Sequence, residues 1–159
     1  APDTIFDGLV ERGLDQTAAA GFTGNAAQES SFDPQAVGDN GNSFGLFQMN
    51  GPRAKALFDF ARKQGEDVAR LSLSGNKVRQ DLNVLVAQGK TPSAQAQMDF
   101  VAHELKTSEK RTADALRGVT DPDRATTIIA ERFFRPGDPK LTNRRGFTQA
   151  FLSTRNSGG

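Results

Sequence analysis

One glutamate, Glu29, stands between a run of small residues and a glycine-rich turn: Gly24 to Asn50 reads GNAAQESSFDPQAVGDNGNSFGLFQMN. A carboxylic acid placed there could act as a proton donor. Burial against apolar groups disfavours the charged form of a glutamate and raises its pKa, which keeps the acid protonated near neutral pH. Ala26, Ala27 and Phe32 supply that company in the sequence. Such a proton can be delivered to the oxygen of a breaking glycosidic bond. Ten residues further on, Asp39 offers a second carboxylate. It lies in a turn where Gly38, Gly41 and Gly45 free the backbone to approach a ligand closely, and where Asn40 and Asn42 favour the same turn conformations. Taken alone, Glu29 reads as one of many exposed helix-end glutamates, and the two asparagines as turn formers.

The elements that must position these groups are mostly helical. Ile5, Phe6, Leu9 and Val10 recur at helical spacing and Gly13 ends the run. Asp15 and Thr23 are candidate N-caps of a second, broken helix that ends near Glu29, since their side-chain oxygens can accept from free amides of a first turn. Pro52 at a first helical position opens a segment with Leu57, Phe58 and Ala61 on one face, closed by Gly65. Thr91-Pro92 opens the helix of Met98, Val101, Ala102 and Leu105, and Asp121-Pro122 that of Ala125, Ile128, Ile129 and Phe133. A last helix is expected from about Thr142 to about Thr154, with Phe147 and Phe151 four apart, and Asn156 to Gly159 as a frayed tail. Only Phe44 to Met49 has strand character, and Ser72 to Asn76 is the most loop-like interior segment. The expectation is an α+β, predominantly α domain spanning residues 1–159, with a small β-hairpin beside the site and no internal boundary.

The spacing of these blocks resembles the glutamate–serine and Gly-Leu-Xaa-Gln motifs of goose-type lysozymes and lytic transglycosylases, and most closely the phage-tail lysozyme family. The matching residues are Gly24-Asn25, Glu29-Ser30, Gly38 to Gly45 and Gln48. Gln97 to Leu105, with Thr107 and Glu109, is similar to a second family block, and Phe134 to Pro139 with Arg144-Arg145 to a third. The resemblance implies a lysozyme-like fold and moves Glu29 from bystander to general acid. It also implies that the turn lines a saccharide cleft, where Ser43, Gln48 and Asn50 would present hydroxyl and amide groups to a glycan. The chain has no tyrosine and no tryptophan, so phenylalanines such as Phe44 would supply any stacking surface. Asn50 stands where goose-type enzymes carry a second aspartate, and a neutral amide cannot be a general base.

Composition narrows the alternatives. At 159 residues and 36% hydrophobic, the chain can bury a core without staples. There is no cysteine, hence no disulfide framework, thiol nucleophile or cysteine zinc site. Net charge is +1, from 20 basic and 19 acidic residues, which gives no global field for nucleic acid. Arg132, Arg135, Lys140, Arg144 and Arg145 cluster near the C-terminus, where they could face an anionic wall polymer but read preferably as a solvated helical face. His103-Glu104 begins like a zinc-protease helix, but Thr107 stands where the second histidine belongs. The turn at Asp39 to Gly45 puts Gly41 where a calcium loop needs its third-position ligand. No cofactor and no metal are expected, so activity should survive a chelator. Loss of activity in EDTA on purified wall, restored by micromolar divalent ion, would refute this. Glu104 reads as a cleft residue or, preferably, a buried partner for an arginine such as Arg135.

Two outcomes follow from a Glu29 acid. A water held by Asp39 gives hydrolysis, as in a muramidase acting between N-acetylmuramic acid and N-acetylglucosamine. Attack by the muramic acid's own C6 hydroxyl gives a 1,6-anhydro product, as in a lytic transglycosylase, and needs no second carboxylate. A non-catalytic virion or wall-binding module on the same scaffold is a third reading, with the retained Glu29 against it. The expected partners are peptidoglycan glycan strands and other phage tail proteins, for a monomer with no membrane span. The N-terminus, APDTIFDGLVERG, lacks the basic and apolar regions of a signal peptide. The resemblance therefore implies a tail-associated place in the virion, or delivery to the host wall or periplasm by other means.

Overall fold

The computed structural model describes residues 1–158. Its elements are α1 (Pro2–Glu11), α2 (Gln16–Ser30), β1 (Val37–Gly38), β2 (Ser43–Phe44), β3 (Met49–Asn50), α3 (Pro52–Lys63), β4 (Leu73–Ser74), β5 (Lys77–Val78), α4 (Leu82–Ala87), α5 (Ala94–Lys106), α6 (Lys110–Leu116), α7 (Pro122–Ile128) and α8 (Leu141–Gly158). Helices dominate and the strands are two residues each, an α+β and predominantly α architecture. The chain forms two compact units. One comprises Ala1–Phe32 with Val101–Gly159, the other Asp33–Phe100.

In the first unit α2 is the central element. Every residue from Ala18 to Ala27 is buried, so the helix is enclosed on all sides rather than amphipathic. Its small residues permit that. A Cβ at Gly24 would run into the Thr148 hydroxyl and lie 2.9 Å from the Arg144 carbonyl oxygen, so α2 and α8 meet at backbone distance here. Gly24→Ala is therefore expected to destabilise the protein by about 1–3 kcal/mol through overpacking. Thermal melts check this, and an unchanged melting temperature would show that α8 yields freely. Phe22 meets Phe133 edge-on at 5.0 Å, and Phe6 meets Phe151 at 5.3 Å.

Asp15 caps α2 as expected, accepting from the Ala18 amide at 2.8 Å. Thr23 does not cap anything, and the helix is unbroken. Its hydroxyl donates to the Ala19 carbonyl at 2.8 Å, the backbonding open to a threonine inside a helix. Asp121 caps α7. The helix then widens into a π-type turn, Ile129–Phe134, ended by Arg135 in the left-handed region. The C-terminal helix runs through Asn156 to Gly158, longer than the sequence suggests, and Gly159 lies outside the described residues.

The second unit is built on a short ribbon. β1 and β2 pair antiparallel with Val37 opposite Phe44, and β2 and β3 with Phe44 opposite Met49. The stretch from Phe44 to Met49 is thus a turn between two strands, with Gly45 and Gln48 at φ values of 91° and 48°. Under the ribbon Phe44 packs edge-on against Phe58 of α3, centroids 5.3 Å apart. Leu57, Leu71, Leu82 and Met98 complete that core. Gln97 of α5, almost fully buried, pins the ribbon turn. Its Oε1 accepts from the Leu46 amide at 2.8 Å, and its Nε2 donates to the carbonyls of Pro34 and Pro92 at 2.8 and 3.1 Å. The cap of α5 is Ser93, accepting from the Ala96 amide, two residues past the expected Thr91.

Three elements escape the sequence reading: the β4/β5 hairpin around Ser72 to Asn76, the six-residue α4 capped by Asp81, and α6. Asn42 ties the hairpin to the ribbon. Its Oδ1 accepts from the Val78 amide at 2.7 Å and its Nδ2 donates to the Asn76 carbonyl at 3.2 Å.

Candidate active site

Glu29 sits in the last turn of α2, one residue before the helix ends at Ser30. Ser31 and Phe32 follow with φ values of 51° and 65°, two left-handed non-glycine residues in succession. They reverse the chain immediately beyond the acid and fix its place at the helix terminus, where strained backbone is held only by its surroundings. The side chain is 17% exposed. Burial pushes its pKa above the ordinary 4.5, against the opposing pull of the Arg144 charge and of a hydrogen bond from Arg144. The negative end of the α2 dipole acts in the same upward sense. A carboxyl so placed favours its proton.

Arg144 is the partner that sequence reasoning assigned to a solvated face. It is buried, at 2% exposure. One guanidinium nitrogen, Nη2, lies 3.6 Å from Glu29 Oε2, and Nη1 donates to Asn25 Oδ1 at 2.9 Å. Its Nε donates to the Pro139 carbonyl at 2.6 Å, and the guanidinium carbon lies 5.9 Å from the centre of the Phe134 ring. Asn25, one helical turn before Glu29, presents the same face of α2 and is itself anchored, donating from Nδ2 to the carbonyls of Gly21 and Thr126. Nearby, the hydroxyls of Thr126 and Thr148 share a hydrogen bond at 2.8 Å. The paired arginines of the third family block were the only sequence signal for this arrangement; charge clustering pointed the other way.

The remaining candidates belong to the second unit. Asp39 is exposed, with φ 49°, and its Oδ2 accepts from Asn50 Nδ2 at 2.6 Å. The same Asn50 nitrogen donates to Ser43 Oγ at 2.8 Å, and Asn50 Oδ1 accepts from Asn42 at 3.3 Å. Asp39, Ser43 and Asn50 are thus brought together across the ribbon by one amide. Ser43 is interior, at 4% exposure. Gln48 donates both amide protons to backbone carbonyls, those of Ala36 just before β1 and of Gly45 in the turn, at 3.0 and 2.9 Å. Only its Oε1 is left to meet a ligand. Phe44, expected as a stacking surface, has no exposed area. It fills the core against Phe58, so its contribution is to hold the ribbon's shape.

The other acid of interest, Glu104, is buried on α5, while Arg135 pairs with Glu109 at 2.9 Å. His103 is exposed. Among the described residues no group of three or more histidines, cysteines or carboxylates is placed to hold a metal, and no helix is long and apolar enough to cross a membrane.

A predominantly helical α+β protein with a short antiparallel ribbon is the lysozyme-like class of fold. The phage tail lysozyme family matches residues 2–154, nearly the whole length, and the chain belongs to that family. Membership carries a lysozyme-type, peptidoglycan-lytic role associated with phage and directed at the host cell wall. No curated protein matches the chain.

Proposed function

We propose that the protein is a muramidase that hydrolyses the β-1,4 bond between N-acetylmuramic acid and N-acetylglucosamine, with Glu29 as general acid. The observation that carries this reading is the proton-favouring burial of Glu29 at the end of α2, in a chain of the phage tail lysozyme family. Glu29 gives its proton to the leaving glycosidic oxygen as the bond breaks. Asp39 takes the role of orienting the attacking water. Asn50 holds one of its carboxylate oxygens, while the other has no protein partner and is turned to solvent. Asp39 takes the water's proton as the new C–O bond forms, and proton exchange with solvent then returns Asp39 to its ionised form and Glu29 to its acid form. Asn50 and the Gln48 Oε1 atom would meet the N-acetyl and hydroxyl groups of the glycan, whereas Ser43, expected beside them, is interior and holds the Asn50 amide instead; no cofactor enters the reaction.

A second reading has one observation in its favour. Asn50, at the position of the second goose-type aspartate, is an amide already engaged with Asp39. If Asp39 serves only the turn, the sugar's own C6 hydroxyl attacks and a 1,6-anhydro end results. Digestion of purified sacculi followed by mass spectrometry tests the proposal. Soluble muropeptides with reducing muramic acid ends support hydrolysis, and no release of soluble fragments would leave a binding module on a lysozyme scaffold. We place the activity on the phage tail or on a form delivered to the wall, with the domain acting as a monomer.

A further inference from the structure

We propose that Arg144 is a positioning residue for the general acid: a buried guanidinium that fixes the Glu29 carboxyl and sets the pH above which the enzyme fails. The inference rests on Glu29 being the acid of the proposed reaction. Its basis is geometric. Arg144 cannot move away from Glu29 without breaking its bonds to Asn25 Oδ1 and the Pro139 carbonyl. Asn25 and Glu29 are one turn apart on the same helix, so a single fork from α8 registers both.

A buried cation beside an acid has a definite consequence for catalysis. When Glu29 releases its proton to the leaving oxygen, a carboxylate forms inside the protein. Burial alone would make that state costly, and the guanidinium offsets the cost with an opposite charge 3.6 Å away. The same charge limits how high burial can lift the pKa. Arg144 thus trades a wider range of protonated enzyme for an easier proton release.

The other charged groups on the elements around α2 are paired elsewhere or exposed, Glu11 of α1 and Arg124 of α7 being among the exposed ones. On α1, Asp3 and Asp7 pair with Arg155 of α8. On α7, Asp123 accepts from Gln149. Glu131 and Arg132 of the π-type turn are exposed, and Arg145 donates to the Thr127 hydroxyl. Arg144 is the charged side chain that meets the Glu29 carboxyl, with Nη2 3.6 Å from Oε2.

Two measurements test this. In the unmutated protein, side-chain NMR of the arginine guanidinium groups and of the Glu29 carboxyl is followed against pH. The Arg144 Nη signals should titrate with the same midpoint as the Glu29 carboxyl, and that midpoint should match the alkaline limb of kcat/KM. Arg144 signals indifferent to the Glu29 titration would overturn the proposal. In the variants, Arg144→Gln should move the alkaline limb to higher pH, and Arg144→Lys, which keeps the charge, should return it toward the wild-type position. Loss of activity at all pH values with an unmoved limb would show a purely structural role and refute the inference. The two readings fail separately: if Glu29→Gln keeps wild-type activity, the acid assignment falls, whereas Arg144 signals that ignore a catalytically essential Glu29 sink only the tuning.

Discussion

Replacing Glu29 by glutamine is expected to yield a folded protein that no longer clears a suspension of cell walls. The amide keeps the volume and a hydrogen-bonding end but has no acidic proton to give. General acid catalysis contributes roughly 10²–10⁴ in rate, or about 3–5 kcal/mol of barrier, and that is the loss expected in kcat/KM. The same variant carries a stability signature that separates it from a damaged fold. Glu29 has a folded-state pKa above its ordinary 4.5, raised first by burial. A group with a raised folded pKa contributes stability that is complete below its unfolded value and is lost as pH rises through the folded one. Glutamine loses nothing over that interval. The melting temperature of Glu29→Gln relative to wild type should therefore increase from acid to neutral pH. Clearance at the wild-type rate by the folded variant would end the assignment of Glu29, and a relative melting temperature that falls toward neutral pH would show that the Arg144 ion pair outweighs burial.

The course of the chain around Glu29 was legible in its sequence because the signals there are local. Asp15 announces the start of α2, and the alanines and glycines between it and Glu29 are what a helix enclosed on all sides requires. What stayed hidden depends on partners distant in sequence. Thr23 has the side chain of a cap, and only the intact helix around it shows that its hydroxyl is spent on Ala19. Arg144 lies in a run of basic residues indistinguishable from a solvated face until α8 is laid against α2 and Asn25 takes its guanidinium, 119 residues away in sequence. In the second unit the glycine and asparagine turn was visible, but not the division of labour within it. Phe44 was expected as a stacking surface for a glycan, yet the ribbon folds it wholly onto Phe58. Gln48 carries the family's amide, and the carbonyls of Gly45 in its own turn and of Ala36 just before β1 absorb the protons that a glycan was expected to use. Strands of two residues, as in β4 and β5, are too short to leave any alternation to read.

Asp39→Asn is the substitution that decides which product the enzyme makes. Asparagine tolerates the left-handed backbone at φ 49° as well as aspartate does. Its carbonyl oxygen can also accept the proton that Asn50 now gives to Asp39 Oδ2, so the ribbon should keep its form. What the variant lacks is the charge that draws a proton from water. If Asp39 orients the attacking water, the loss should again be on the order of 10²–10⁴ in rate, with the wild-type digest rich in muropeptides that end in reducing muramic acid. If the muramic acid's C6 hydroxyl attacks, the charge at position 39 is not needed, and the products are lighter by one water. The Asn50 amide donates to both Asp39 and Ser43, an arrangement that aligns one carboxylate oxygen and leaves the other for solvent. In the proposed hydrolytic reading, that free oxygen is the one that would hold the water. A digest dominated by anhydro-muropeptides, from an enzyme that tolerates Asp39→Asn, would exclude the hydrolytic role of Asp39 while leaving Glu29 as the acid.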